Sequence, residues 1–270
     1  MKIYIMTDYE GVAGVVDFED RADESAPNII KRQRGARLLT GEVNAAVEGC
    51  FLGGADEVLI DDAHGRGYTI DPETLDSRAR IVHGTRRPRI MPGLDSSFDA
   101  MIMIGAHSMA RTRGGVLYHT MCLECREFRL NGKPAGEFAI FAFVAGAFDV
   151  PAIMISGDTG ACNEAKKIIP GIVAVPVKEG LSRYAAISLS KDESRKRIRE
   201  GVENAVKNIG RVKPYKLKAP FTYQNDIFAK PEKELRASHP EDLPKEWITE
   251  PLVKAKTAKE LIKKVWTYKV

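Results

Sequence analysis

Apolar positions along this chain gather in short runs separated by longer amphipathic stretches. Lys2–Thr7 is the first such run, Arg34–Leu52 carries apolar residues at helical spacing, and Gly53-Gly54 stops that pattern before a second run at Glu57–Ile60. This is a strand–helix–strand opening. Further runs at Asp99–Ile104, Pro151–Ile155 and Ile172–Val177 are β-branched or Met-rich, and helix-like stretches at Phe138–Phe148 and Ala161–Ile169 lie between them. The alternation predicts an α/β fold with a largely parallel central sheet flanked by helices. Cys122–Leu130 followed by Asn131-Gly132 predicts a strand running into a tight hairpin turn, because Asn-Gly readily takes positive φ. Ser182–Ile209 reads as one or two long surface helices. Beyond it, Pro214, Pro220, Pro231, Pro240, Pro244 and Pro251 break up the chain until a closing helix from about Ala258. The expected organisation is an α/β domain over residues 1–210 and a smaller, loop-rich C-terminal part over 211–270.

Composition narrows the function classes. With 44% hydrophobic and 29% charged residues over 270 positions, the chain can bury a sizeable core without disulfides or structural metal. A metal found here is therefore expected to be functional. A formal charge of +4, with acids and bases intermixed, is too mild and dispersed for a nucleic-acid binder. The basic runs Lys191–Arg199 and Lys254–Lys264 have acids at helical spacing and read as solvated helix faces. The N-terminus lacks the apolar stretch of a secretory signal, and no window approaches an uncharged membrane span, so a cytoplasmic protein is expected. The four cysteines then remain thiols. Cys122 and Cys125 form a lone Cys-x-x-Cys, but in a strand their odd separation points them to opposite faces.

In open α/β sheets ligands bind beyond the carboxyl ends of the strands, so the residues following each apolar run carry the chemistry. The first run ends in Thr7-Asp8-Tyr9-Glu10-Gly11, the second in Asp61-Asp62-Ala63-His64-Gly65, and the run through Ile104 in Gly105-Ala106-His107. Asp8 and Glu10, two apart, project to one side of an extended backbone. Carboxylates held together repel unless a cation lies between them. Imidazoles at His64 and His107 shift the preference from magnesium toward zinc. Singly, an Asp at a strand end is a turn former and a lone His a structural residue; the coincidence at three strand ends, in a chain with five histidines, favours a site. His119, after Gly114-Gly115 and a short apolar run, is a weak signal alone. Glu137 opens an otherwise apolar helix, where it either joins the site or complements the helix dipole. His83, on an expected strand, and His239, before a proline in the tail, are not candidates.

The motifs Asp8-x-Glu10-Gly11, Asp62-x-His64, Gly105-x-His107, Gly115-x-x-x-His119 and Asn131-Gly132-x-Pro134-x-Gly136-Glu137, in this order, resemble the zinc-dependent D-aminopeptidases, self-compartmentalising peptidases associated with bacterial dipeptide transport. The likeness runs from residue 1 to about 210, including Val150-Pro151 and Gly157-Asp158, and fades afterwards. It implies two zinc ions per subunit held by Asp8, Glu10, His64, His107 and Glu137, with Asp8 bridging, and His119 as catalytic nucleophile. It also implies a homodecamer of two stacked pentamers acting on short peptides. Thr7, Tyr9 and Ala63 stand where the family commonly has Ser, Met and Ser; none is an implied ligand.

The resulting expectation is a zinc aminopeptidase releasing N-terminal, D-configured residues, with His119 as nucleophile or as general acid/base. One rival is a magnesium-dependent phosphatase using Asp8 as nucleophile and the acidic loop Gly157-Asp158-Thr159-Gly160; it leaves His64, His107 and His119 idle. A second rival is a non-catalytic, metal-loaded peptide-binding assembly. No glycine-rich phosphate loop is present, so no nucleotide cofactor is expected.

Overall fold

In the computed structural model, which describes residues 1–267, the chain runs β1 (Lys2–Thr7), α1 (Ala26–Leu52), β2 (Glu57–Asp62), β3 (Ala79–Val82), β4 (Ala100–Ala106), β5 (Cys125–Leu130), β6 (Lys133–Pro134), α2 (Glu137–Gly146), β7 (Ala152–Asp158), α3 (Thr159–Ile168), β8 (Val173–Ser182), β9 (Ala185–Ser188), α4 (Lys191–Lys207), β10 (Phe221–Phe228), β11 (Trp247–Thr249), β12 (Val253–Ala255) and α5 (Ala258–Trp266). The last three residues of the expected C-terminal part, 268–270, lie outside the described residues.

The main sheet has the order β3-β2-β1-β4-β7-β8-β9, and every pairing is parallel except β8 with β9. The largely parallel α/β architecture read from the hydrophobic pattern is therefore the one observed. Strands β1, β4 and β7 are almost wholly buried, as a sheet covered on both faces requires. Helices α1 and α4 pack on each other, while α2 lies against β4 and touches α3 and α5. The chain leaves β1 toward β2 on one side and β4 lies on the other, so the order reverses at β1/β4. A crevice opens at such a reversal beyond the strand ends.

A second sheet, β11-β10-β5-β6 with β12 also on β10, joins residues from the middle of the chain to the tail. Asn131 (φ 48°) and Gly132 (φ 71°) make the expected hairpin turn between β5 and β6. The Asn131 carboxamide accepts from Thr222 N at 2.9 Å and donates to Lys218 O at 2.7 Å, tying that turn to the tail. Helix α2 is buried nearly all round, packed on the main sheet while Phe143 meets Phe221 of β10. That double contact explains its unbroken apolar sequence.

Two sequence expectations change. Helix α1 starts at Ala26 rather than Arg34, because Pro27 in its first turn supplies the helical φ in advance of the amphipathic pattern. The helices expected over Ser182–Ile209 reduce to α4. Ser182 ends β8, Ala185–Ser188 is an edge strand on β8, and Ser190 starts the helix by accepting from Glu193 N at 3.3 Å.

Candidate metal centre

Register brings the three strand ends level. Thr7 pairs with Asp62 on one side and Ile104 on the other, so the segments carrying Asp8, His64 and His107 leave the sheet at one height. Asp8 and Glu10 do not alternate on a strand as the sequence spacing implied, because β1 ends at Thr7. Residues 8–12 turn instead across the end of β4, with Asp8 N donating to Ile104 O (2.9 Å) and Gly11 N to Gly105 O (2.8 Å). A Cβ on Gly105 would fall 2.1 Å from Asp8 O, and one on Gly11 would fall 2.0 Å from Ala106 O. Gly11 is required by this close approach, and Gly105 both by the approach and by its positive φ of 79°.

Two groups of side chains result. Asp8, Glu10 and His64 offer donor atoms within 4.8 Å of one another, and so do His107, His119 and Glu137. Asp8 joins the groups: its Oδ1 lies 3.2 Å from His64 Nδ1, and its Oδ2 lies 3.3 Å from His107 Nε2. Glu10 Oε2 is 3.0 Å from His64 Nδ1, and Glu137 Oε1 is 3.1 Å from His107 Nε2 and 3.8 Å from His119 Nε2. The His107 and His119 rings stack at 4.0 Å. All six residues picked from the sequence meet here.

The outer hydrogen bonds set which imidazole nitrogens face the cluster. His107 Nδ1 pairs with Ser108 O at 2.8 Å and His119 Nδ1 with Leu117 O at 2.9 Å, so each ring donates to a carbonyl through Nδ1 and turns Nε2 toward the carboxylates. For His64 the roles reverse. Its Nε2 donates to Glu19 at 3.1 Å, leaving Nδ1 to Asp8 and Glu10. Leu117 (φ 50°) and Met121 (φ 65°) hold left-handed backbone on either side of His119, a strain that a packed loop must impose.

Buried acids pull positive charge toward themselves. Burial alone would raise the carboxyl of Asp8, yet His107 and His64 hold it below the ordinary range. Glu137 is likewise lowered, burial being outweighed by His107. Burial lowers His64 and His107, but the carboxylates, Glu10 and Glu137 foremost, raise both well above normal. His119 goes the other way, lowered by burial and by the neighbouring His107. Asp8 Oδ2 and Glu10 Oε2 are buried and receive no hydrogen bond from the described residues. Oxygens of that kind, facing imidazole nitrogens, are donor types that suit a zinc ion.

Three supporting residues escaped the sequence reading. Glu19 accepts from His64 and pairs with Arg32 (3.1 Å) and Arg21. Burial would raise its carboxyl, but the bonds from His64 and Arg21 bring it down to about 2. Lys178 is buried in β8 and donates to the carbonyls of Glu10, Val12 (3.1 Å) and Val15 (2.6 Å), pinning the loop that carries Glu10. Burial pushes its ammonium down to about 8. Arg183 donates to the carbonyls of Tyr118 (3.0 Å), Leu235 and Ala237 (3.4 Å), linking the His119 loop to the tail. Glu19→Gln keeps the size and one acceptor but removes the charge that orients His64. Zinc affinity measured by competition with a chelator is expected to fall about 10–100-fold; an unchanged affinity would remove Glu19 from the site.

Other polar residues of the motifs have structural work. Asp62 accepts from Thr69 N (2.8 Å) and Ile70 N (3.0 Å), closing the loop beyond β2. Asp158 caps α3 through Ala161 N (2.7 Å) and accepts from Ser108 Oγ (2.7 Å) and Val116 N (3.0 Å), so it is engaged rather than offered to a magnesium ion. Cys122 is exposed and Cys125 buried, both free thiols. His83 and His239 are exposed and belong to neither group of ligand types.

Residues 1–238 match a family described as D-aminopeptidase. A D-aminopeptidase of Bacillus subtilis (strain 168) is 34% identical over 215 residues, covering 79% of this chain and 77% of the relative. Among solved structures, the chain matches the Zn-dependent D-aminopeptidase DppA from Bacillus subtilis, described as a self-compartmentalizing protease. The TM-score is 0.79 at 33% identity, over 85% of this chain and 82% of that one. No helix among the described residues is long and apolar enough to cross a membrane.

Proposed function

The chain belongs to the D-aminopeptidase family, and on that footing we propose that it removes N-terminal D-amino acids from short peptides at a centre holding two zinc ions per subunit. Asp8, Glu10 and His64 would hold one ion, His107 and Glu137 the other, with Asp8 shared. The observation that carries this reading is the Asp8 carboxylate, whose two oxygens face different imidazoles while Oδ2 receives no hydrogen bond from the described residues. Zinc in such a centre supplies a polarising Lewis acid and a nucleophilic water near neutral pH.

The chain's own contribution is position and proton transfer. Leu117 O fixes the His119 ring so that Nε2 faces Glu137, where it acts as nucleophile on the peptide carbonyl or as the group that moves a proton to the departing amine. Glu19, Lys178 and Arg183 hold the loops of His64, Glu10 and His119. These side chains lie within residues 1–210, the part we assign to catalysis; residues 211–270 form the smaller part. In keeping with the self-compartmentalizing relative, we take the protein to be a cytoplasmic homo-oligomer, a decamer of two stacked pentamers.

The test is metal analysis of the purified protein beside hydrolysis of matched D- and L-alanyl peptides. Two zinc ions per subunit and turnover of the D series are expected. Turnover of the L series alone would discard the D-selectivity, and one ion per subunit would discard the shared Asp8.

A further inference from the structure

The cavity lined by Asp8, His64, His119 and Glu137, members of both groups of ligand types, has a volume of about 470 Å³, and its wall also carries Arg66, Arg86, Arg87 and Arg89. That size suits a ligand of two or three residues. Two of the arginines are spoken for. Arg87 reaches Asp61 Oδ1 at 2.9 Å and the carbonyl of Asp62 at 3.0 Å, and Arg89 donates to Leu94 O at 2.5 Å. Arg66 and Arg86 are exposed, and no hydrogen bond or ion pair engages either side chain among the described residues. They arise from different loops, after β2 and after β3, that are nevertheless joined. Gly84 N donates to Gly67 O at 2.8 Å, and a Cβ on Gly67 would fall 2.7 Å from Gly84 N. Each arginine lies within two residues of this junction, on the same cavity as Asp8, His64 and Glu137.

We infer that Arg66 and Arg86 form a carboxylate subsite that binds the C-terminal α-carboxylate of a di- or tripeptide whose N-terminal residue is at the metal centre. The inference rests on the peptidase reading above and names its substrate class: peptides with a free C-terminal acid. A guanidinium presents paired donors matching a carboxylate's two oxygens, and two of them on joined loops offer more donors than one carboxylate needs. The carboxylates on the same cavity are already matched, Asp61 by Arg87 and Asp8 and Glu137 by imidazoles, so they do not neutralise this pair. Because the cavity fixes the distance between the two ends, the subsite makes peptide length a determinant of rate.

The experiment compares three compounds on the zinc-loaded protein: D-alanyl-glycine as free acid, its C-terminal amide, and D-alanyl-aspartic acid α-amide, whose only carboxylate is on the side chain. Binding of acid and amide isosteres, in which a methylene-amine replaces the peptide bond, is followed by calorimetry alongside turnover. The free acid is expected to be preferred about 10-fold or more, in kcat/KM through KM and in isostere affinity. In R66Q/R86Q the acid-to-amide ratio falls toward one; both positions are exposed, so the substitution spares the core. Equal binding of acid and amide isosteres by the native protein overturns the subsite, as does preference for the side-chain carboxylate or a ratio that survives R66Q/R86Q. If the acid isostere binds preferentially and R66Q/R86Q abolishes the preference, while none of the peptides is cleaved, the subsite stands and the peptidase reading falls.

Discussion

Asn in place of Asp8 is expected to abolish zinc loading and peptide hydrolysis together. The amide is nearly isosteric, so the change isolates charge and donor strength. It takes a carboxylate from the one side chain that, among the described residues, faces both His64 and His107. Neither group of ligand types then has its shared anion, and activity should fall on the order of 10³-fold or more. The protein should still fold, since Asp8 sits among other acids and its main-chain bond to Ile104 O is untouched. Thermal unfolding separates these effects. Zinc should stabilise the native protein by RT ln(1 + [Zn]/Kd), about 4 kcal/mol at a thousandfold excess over Kd, whereas D8N should respond weakly. D8N carrying the native zinc content would refute the shared-ligand assignment.

His119→Ala is expected to leave zinc content at the native level while kcat falls on the order of 10²–10⁴-fold, with little change in KM. The basis is geometric. His119 Nε2 is 3.8 Å from Glu137 Oε1, farther than His107 at 3.1 Å, and its ring is locked by Leu117 O. Loss of one zinc ion in H119A would instead make His119 a ligand, an outcome its grouping with His107 and Glu137 makes worth measuring. Mass spectrometry of the native protein with a slow substrate separates the two remaining roles: an acyl adduct on His119 marks a nucleophile, and its absence marks proton transfer.

Much of this centre was legible because each ligand type follows an apolar run, and a parallel sheet levels its strand ends. Asp8, His64 and His107 needed only that rule. His119 and Glu137 were weak on their residues alone, since one lies in an irregular loop and the other resembles an ordinary dipole partner; motif order brought them in. Glu19 was missed because its loop has no periodicity and its partner is 45 positions away. Lys178 was missed because a buried lysine looks, in sequence, like a solvated strand position. Nor did local pattern foretell that Phe221–Phe228 would pair with Cys125–Leu130, because neither segment encodes its distant partner. Ala185–Ser188 misled for a related reason: four residues do not separate a helical period from a strand's, and the edge of β8 decided between them.

Arg183 grips Tyr118 with one hand and Leu235 and Ala237 with the other, while β5, just ahead of Glu137, leans on β10. The proline-broken tail is thus a safety catch. One protease nick in it would slacken the bracing of the His119 loop and of the hairpin leading to Glu137, and so disarm the enzyme while leaving all six side chains of the cluster intact.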